Sequence, residues 1–317
     1  MKTFYINQND AGQRLDRFVK KAAPALPASL MQRYIRIKRI KVNKKRAENA
    51  QMLQIGDVVE MYINDEFFPP EEAKELEFLL AGDRLNIVYE DENILLADKE
   101  PGLVVHEDDG GERDTLINRI QKYLYNKKEY LPEQENSFAP ALCNRIDRNT
   151  GGIVIAAKNA ASLRVMNHLI KERLIEKYYL CVVHGRVTPP QGTLKSYMLK
   201  LEEQNIVKVF DKPYPNAKTA ITKYKTLKSN ERFSLLEIDL LTGRTHQIRA
   251  QMSHIGNPLL GDTKYGTAKQ NKGTGYKFQA LYSYKLTFSA GDDAEHLSYL
   301  NGRSFTVKKV PFLSLFE

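Results

Sequence analysis

Three short stretches of the chain hold residue types that could do chemistry. The first is Cys143-Asn144-Arg145-Ile146-Asp147-Arg148-Asn149-Thr150-Gly151-Gly152, set between an apolar segment (Ala139, Ala141, Leu142) and the apolar run Ile153-Val154-Ile155-Ala156-Ala157. A carboxylate flanked by two arginines between two strands is held near the core and kept ionised by neighbouring positive charge. That is what a carboxylate nucleophile or base requires. Taken alone, the stretch suits an Asx-turn with solvated arginines at least as well. The second is Glu176-Lys177-Tyr178-Tyr179-Leu180-Cys181-Val182-Val183-His184-Gly185. Strand alternation puts Tyr179, Cys181 and Val183 on one face and Tyr178, Leu180 and Val182 on the other, although paired tyrosines in a strand more often pack a sheet than catalyse. The third runs from Leu241 through Thr242-Gly243-Arg244-Thr245-His246-Gln247-Ile248-Arg249 to His254-Ile255-Gly256-Asn257-Pro258 and Gly261-Asp262. A strand ends at Leu241, Gly243 turns the chain, and Thr245 is placed to cap a helix with Ile248, Met252 and Ile255 as its inner stripe. Arg244, His246 and Arg249 crowd its first turn beside the positive end of the helix, a place that favours an anion. Arginines solvated at a helix start are the plainer alternative.

Strands with helices between them must position these stretches. Asn86–Tyr89 and Ile94–Ala97 flank the acidic turn Glu90-Asp91-Glu92-Asn93 and suggest a hairpin. Thr115–Tyr125 has helical spacing, with Leu116, Ile120 and Leu124 on one side, and Gly152–Ala157 is a continuous apolar run, a buried strand. Ala160–Arg173 is a helix with Leu163, Met166, Leu169 and Ile170 inward. Glu176–Val183, Ala220–Leu227 and Phe233–Leu241 read as further strands. Strands outnumber helices and short turns join many of them, so the fold class is α+β with a mainly antiparallel sheet.

The amino-terminal end has a different character. Residues 1–64 hold 13 Lys/Arg and 5 Asp/Glu, a net of +8 out of the chain's +9. Arg33, Arg36, Lys38, Arg39, Lys41, Lys44, Lys45 and Arg46 follow one another with no acid between. A lone charge run is usually a solvated face, but this one has internal order. Leu15, Phe18, Val19 and Ala22 recur as the stripe of a short helix. Ser29 and Gln32 read as a capping box opening a second helix, with Leu30, Met31, Tyr34 and Ile37 inside. Ile40 and Val42 alternate as a short strand before an Asn43-Lys44-Lys45 turn, and Gly56-Asp57 precedes a strand in which Val59, Met61 and Ile63 share a face. The second helix and the turn present one positive surface, whose natural counterpart is a phosphate backbone. Asp65, Glu66, Pro69, Pro70, Glu71, Glu72, Glu75 and Glu77 then mark residues 65–83 as an acidic linker with a short helical piece.

Composition excludes several classes. At roughly 150 residues per domain, 317 residues make about two domains, and 42% hydrophobic with 27% charged residues suits a soluble globular chain. No stretch approaches the ~18 apolar residues of a membrane helix, and MKTFYINQND has no apolar run of a signal peptide. Cys143 and Cys181 are too few for a disulfide framework or zinc-finger set. The six histidines (His106, His168, His184, His246, His254, His296) do not fall at zinc-binding spacings. The expectation is a cytoplasmic protein with no membrane and no metal.

Residues 12 to 64 resemble the ribosomal-protein-S-four-like (alpha-L) RNA-binding domain at Arg14-Leu15-Asp16-Arg17-Phe18, Ile40-Lys41-Val42-Asn43 and Gly56-Asp57-Val58-Val59. The three chemical stretches together resemble the RluA-type pseudouridine synthases. Asn144–Gly152 is similar to their His-Arg-Leu-Asp-x-x-Thr-Ser-Gly motif, and Tyr179 with Lys177 matches their Lys-x-Tyr strand. Thr242–Arg249 matches their Thr-Gly-Arg-Thr-His-Gln-Ile-Arg stretch, and Gly256–Pro258 and Gly261–Gly266 match later elements. Asn144 stands where the family usually has His, Gly151 for Ser, and Ala250-Gln251 for Val-His.

The resemblance implies an alpha-L domain over 1–64, a linker over 65–83 and a synthase domain over 84–317. It implies that a uridine already in RNA is detached from its ribose, turned, and rejoined through carbon 5, with no cofactor. Asp147, Tyr179 and Arg249 would be catalytic: Asp147 attacks the anomeric carbon or takes the neighbouring 2′ proton, Arg249 pairs with it, and Tyr179 stacks on uracil and assists removal of the carbon-5 proton. Arg145, Arg244 and His246 would bind substrate, with Arg145 helping to flip the base. The eight cations from Arg33 to Arg46 would hold RNA, ribosomal in preference to transfer RNA, and the chain would act as a monomer. Two alternatives differ in class: a non-catalytic RNA-binding ribosome-assembly factor, against which the intact Asp147, Tyr179 and Arg249 argue, and an N-glycosidase, which would release free uracil.

Overall fold

The computed structural model describes residues 1–69, 76–107 and 111–317. Strand β1 (Lys2–Tyr5), which the pattern did not announce, precedes helices α1 (Leu15–Ala22) and α2 (Ala28–Arg36) and strands β2 (Ile40–Val42), β3 (Lys45–Arg46) and β4 (Val58–Met61). The four strands form an antiparallel sheet in the order β1-β4-β2-β3. Leu15, Phe18, Val19 and Ala22 are buried, as their spacing requires, and pack with Met31, Ile35, Ile40, Val42, Val59, Met61 and Ile63 into a core of their own. The Ser29–Gln32 capping box does not form. Pro27 is the N-cap, at φ −59° and ψ 141°, so Ser29 falls inside the first turn, where it has no end to cap. The inner side of α2 is Met31 and Ile35, with Leu30 and Tyr34 half-buried; Ile37 lies just past the last helical residue and is 49% exposed. Asn43 and Lys44 both have positive φ (52° and 62°), a tight two-residue turn, so Lys45 already belongs to β3.

Short 3-10 turns at Asp65–Phe67 and Glu77–Leu80 lie in the stretch read as a linker, while Pro70, Glu71, Glu72 and Glu75 lie outside the described residues. The chain is tied down at Phe78, which is buried and meets the rings of Tyr125 at 5.7 Å and Tyr130 at 5.9 Å.

The remainder holds β5 (Ile87–Glu90), β6 (Ile94–Lys99), α3 (Leu116–Asn126), β7 (Ala141–Leu142), β8 (Gly151–Ala157), α4 (Ala160–Lys171), β9 (Ile175–His184), β10 (Gln191–Leu201), β11 (Ile206–Phe210), β12 (Lys218–Ser229), β13 (Phe233–Leu240), α5 (Gln247–His254), α6 (Ala268–Asn271), β14 (Leu281–Phe288) and β15 (Ser304–Thr306). They build one eleven-stranded sheet, ordered β11-β10-β12-β13-β9-β14-β8-β6-β5, with β15 added to β14 and β7 to β8. Every pairing is antiparallel except β14 with β8, so the fold is α+β with a mainly antiparallel sheet. Strands β10, β11, β14 and β15 were not anticipated from the pattern.

The alternation in β9 separates two cores. Tyr179, Cys181 and Val183 face α3 and α5, meeting Leu116, Ile120, Ile248 and Met252. Leu180 and Val182 face α4, where Val165, Met166 and Leu169 are buried, and Leu163 and Ile170 are only half-buried. Where β14 meets β8, Gly152 has φ +113°, and an added Cβ would stand 2.2 Å from the Ser283 carbonyl oxygen. Only glycine permits this approach.

Asp10, fully buried, ties the small sheet to the large one. It accepts hydrogen bonds from Ser137 Oγ at 2.6 Å and Asn136 Nδ2 at 2.6 Å. Asn9 donates to Glu135 at 2.6 Å and accepts from the Ala160 amide at 3.0 Å, at the start of α4. Among the described residues no helix is long and apolar enough to cross a membrane.

Candidate active site

Asp147 lies in the loop between β7 and β8, closed by a hydrogen bond from the Thr150 amide to the Asp147 carbonyl, 3.0 Å. Asn144 holds the base of this loop, its Oδ1 accepting from the Ile155 amide at 2.8 Å. The cation facing the carboxylate is neither flanking arginine. Arg145 and Arg148 are exposed, and Arg148 stands 3.2 Å from Glu112. Arg249, from α5, donates through Nη1 to Asp147 Oδ2 at 3.0 Å. Arg249 is itself buried, and its Nε and Nη2 donate as a fork to Asp262 at 2.6 and 3.0 Å. Burial alone would raise the fully buried Asp262. The guanidinium and the Tyr265 and Lys264 amides override it and hold the carboxyl below its usual range. One guanidinium thus spans two carboxylates, and the outer one is open to the cleft.

The start of α5 differs from expectation. Thr245 does not cap it; the N-cap is His246, in the left-handed region at φ 51°. The Gln247 side chain organises the turn instead, accepting from the Arg244 amide at 3.0 Å and Thr242 Oγ at 2.8 Å. Ile255 lies just beyond the helix and is 37% exposed, so the inner stripe is Ile248 and Met252. Arg244 Nε donates to the Thr219 carbonyl at 3.0 Å, and Arg249 turns inward, so the helix start does not gather both arginines around one anion.

Tyr179 is buried on the same wall. Burial pushes its hydroxyl up to about 12, the Ser283 hydroxyl pulling the other way and the Asp147 charge adding to the rise. The group is therefore a phenol, not a phenolate, at neutral pH. Lys177, Arg145, Arg244 and His246 line the same cleft, which has a volume of about 840 Å³. The cations Arg33, Arg36, Lys38, Arg39, Lys44, Lys45 and Arg46 are exposed and Lys41 is half-buried, all on the small module and none in the cleft. Among the described residues no group of three or more His, Cys, Asp or Glu side chains is placed to hold a metal.

Sequence reasoning passed over Lys99. This lysine is 1% exposed and its Nζ donates to the carbonyls of Glu100, Leu103 and Arg148 at 2.9, 2.8 and 2.7 Å. It therefore fastens the residue next to Asp147. Burial lowers its pKa to about 7, with the Asp147 charge acting upward. Its one signal was a charge closing the apolar run Ile94-Leu95-Leu96-Ala97. Asp262 and Tyr265 lay inside a noted motif, but nothing in their spacing said what they would touch.

Residues 93–254 match the model of the RNA pseudouridylate synthase family, and residues 13–59 match the S4 domain. An uncharacterized RNA pseudouridine synthase of Mycoplasma genitalium is 32% identical over 288 residues, covering 90% of this chain and 88% of that protein. A ribosomal large subunit pseudouridine synthase C of Rickettsia bellii is 34% identical over 274 residues, covering 84% and 86%. Among solved structures, human RNA pseudouridylate synthase domain containing 4 shares the fold, with a TM-score of 0.56 at 20% identity over 73% of this chain and 90% of that one.

Proposed function

The chain belongs to the RNA pseudouridylate synthase family, and on that premise we propose that it isomerises uridines of large-subunit ribosomal RNA, with Asp147 as the reacting carboxylate. The observation that carries the residue assignment is the ion triad: Arg249 is locked by Asp262 and aims one remaining N–H at Asp147, which stands at the cleft. A carboxylate so held is oriented without further reorganisation. Arg249 engages Oδ2, which leaves Oδ1 for the reacting atom of the ribose. Tyr179, kept a phenol, packs against the uracil and passes a proton through its hydroxyl rather than acting as a free base. Arg145, exposed at the cleft, fills the space of the flipped base. Uracil leaves and rejoins the same ribose, so the reaction balances with no external reductant or group donor. Ribosomal RNA is favoured by the names of the curated relatives and by the exposed cations of the amino-terminal module.

The test is a pseudouridine map of ribosomal RNA from cells with and without the gene. One or more sites should vanish on deletion, return with the wild-type gene, and stay absent with Asp147→Asn, which keeps size and hydrogen bonding while removing the charge. An unchanged map in the deletion strain would overturn the substrate assignment. Restoration by Asp147→Asn would overturn the residue, and free uracil in the purified reaction would mean a glycosidase.

A further inference from the structure

His246 is held more firmly than a loop side chain needs to be in order to touch a substrate. Its backbone sits at φ 51° and ψ 24°, a conformation that residues bearing a β-carbon rarely adopt. Its ring is 10% exposed and lies edge-on to Tyr265, with centroids 5.6 Å apart. Nδ1 is 2.9 Å from the Tyr265 hydroxyl oxygen, which also accepts the Val207 amide at 2.9 Å. No other protein acceptor for that hydroxyl is present among the described residues, and on that ground the tyrosine is assigned as the donor to Nδ1. The imidazole proton then resides on Nε2. Asp147, Arg249, Lys264, Asp262 and Tyr265 surround the ring; burial lowers its pKa most, which favours this neutral form.

Nε2 is 3.9 Å from Asp147 Oδ2. That is too far for a hydrogen bond and well suited to a single oxygen roughly 2.8 Å from each atom. Such an oxygen must accept from the imidazole N–H and donate to the carboxylate. A hydroxyl does both; a phosphate or carbonyl oxygen cannot. We propose that this gap seats the 2′-hydroxyl of the target nucleotide, and that His246, with its tautomer set by Tyr265, is the residue through which the site requires ribose rather than deoxyribose. The proposal rests on the reading of the cleft as the uridine site and adds how the sugar is recognised. The 2′-hydroxyl is the one group that lets a protein tell RNA from DNA at a single nucleotide.

The experiment uses the full chain and two short RNA hairpins, one carrying the mapped uridine and one with 2′-deoxyuridine at that position. Competition binding should show the wild type favouring the ribose hairpin by roughly tenfold, the worth of one hydrogen bond to a charged or well-oriented partner. In His246→Ala that preference should fall to within about twofold, chiefly through weaker binding of the ribose form. His246→Gln offers an amide N–H and cannot titrate; it should restore most of the preference. The ¹⁵N spectrum of the free enzyme should show His246 protonated at Nε2, and Tyr265→Phe should mix the tautomers. Full ribose preference in His246→Ala, no preference in the wild type, or an Nδ1–H tautomer would each overturn the proposal. A wild type that binds the uridine hairpin but forms no pseudouridine would instead overturn the function proposed above, and the binding comparison would still stand.

Discussion

At the scale of the residue, the site depends on a guanidinium that serves two masters of unequal exposure. Removing it leaves Asp262, at 0% exposure, as a buried charge with no cation. Arg249→Ala should therefore cost about 3–5 kcal/mol of stability, and it should also lower the single-turnover rate by orders of magnitude. Lys208→Ala, on an exposed side chain of β11, should stay within about 0.5 kcal/mol of the wild type. Urea unfolding and quench-flow rates measure both, and equal losses in the two variants would reduce the ion triad to general destabilisation. Lys99 makes a prediction with pH. Its folded pKa of about 7 lies below the ordinary 10.5, so between those values the unfolded chain holds a proton that the folded chain has released. The contribution of this group to stability is therefore least favourable below pH 7 and improves as pH rises through that window. Lys99→Met removes the titration and strands three carbonyls, each worth roughly 1–3 kcal/mol if left unpaired. Unfolding free energies from pH 6 to 10 should show the gap between wild type and variant widening as pH rises; a constant gap would show that Lys99 does not titrate there.

At the scale of the element, what was legible followed from periodicity that completes itself within one segment. The strand Gly151–Ala157 and the helices α1 and α3 bury the stripes their spacing marks, and α4 does so at Met166 and Leu169, with Val165 buried while Leu163 and Ile170 are only half-buried. Strands β10 and β11 were missed because neither shows a clean alternation: exposed Lys195 and Lys200 fall on opposite faces of β10, and β11 is only five residues long with Lys208 exposed at its centre. Thr245 and Ser29 misled for a common reason: each is a good cap by type, but a neighbouring residue (His246, Pro27) takes the cap position. In the site, Asp147 and its pairing with Arg249 were expected from a family likeness; the contacts of Lys99 with Arg148 and of Arg249 with Asp262 were not, because packing rather than spacing brings those residues together. Gly152 gives an element-scale prediction. Gly152→Ala would drive a methyl into the Ser283 carbonyl at 2.2 Å with φ at +113°, so it should cost more than ~4 kcal/mol or yield no folded protein. Gly56→Ala meets nothing within 4 Å at φ +88° and should cost only about 1–2 kcal/mol. Thermal unfolding separates them, and similar melting points would mean that β8 and β14 do not approach as closely as described.

At the scale of the whole molecule, net charge and chemistry occupy different ends: +8 of the +9 lies in residues 1–64, while Asp147, Tyr179 and Arg249 lie far along the chain. A chain beginning at Leu76 keeps Phe78 on α3, retains the large sheet, and should fold. It should still isomerise uridine at high enzyme concentration, bind long RNA more weakly, and show a flatter salt dependence, by roughly one unit of log–log slope or less per phosphate contact removed. Binding titrations from low to high salt on both proteins test this; equal slopes would return the basic run to a merely solvated face. The place of β14 adds a consequence in time. Tyr179 stands on β9 and Asp147 precedes β8, and these two strands do not pair with each other; β14, Leu281–Phe288, is laid between them. During synthesis Asp147, Tyr179 and Arg249 all leave the ribosome before the strand that brings them into register. A nascent chain paused before residue 281 therefore carries the three groups proposed to react without the strand that brings them together, while its amino-terminal module is already complete.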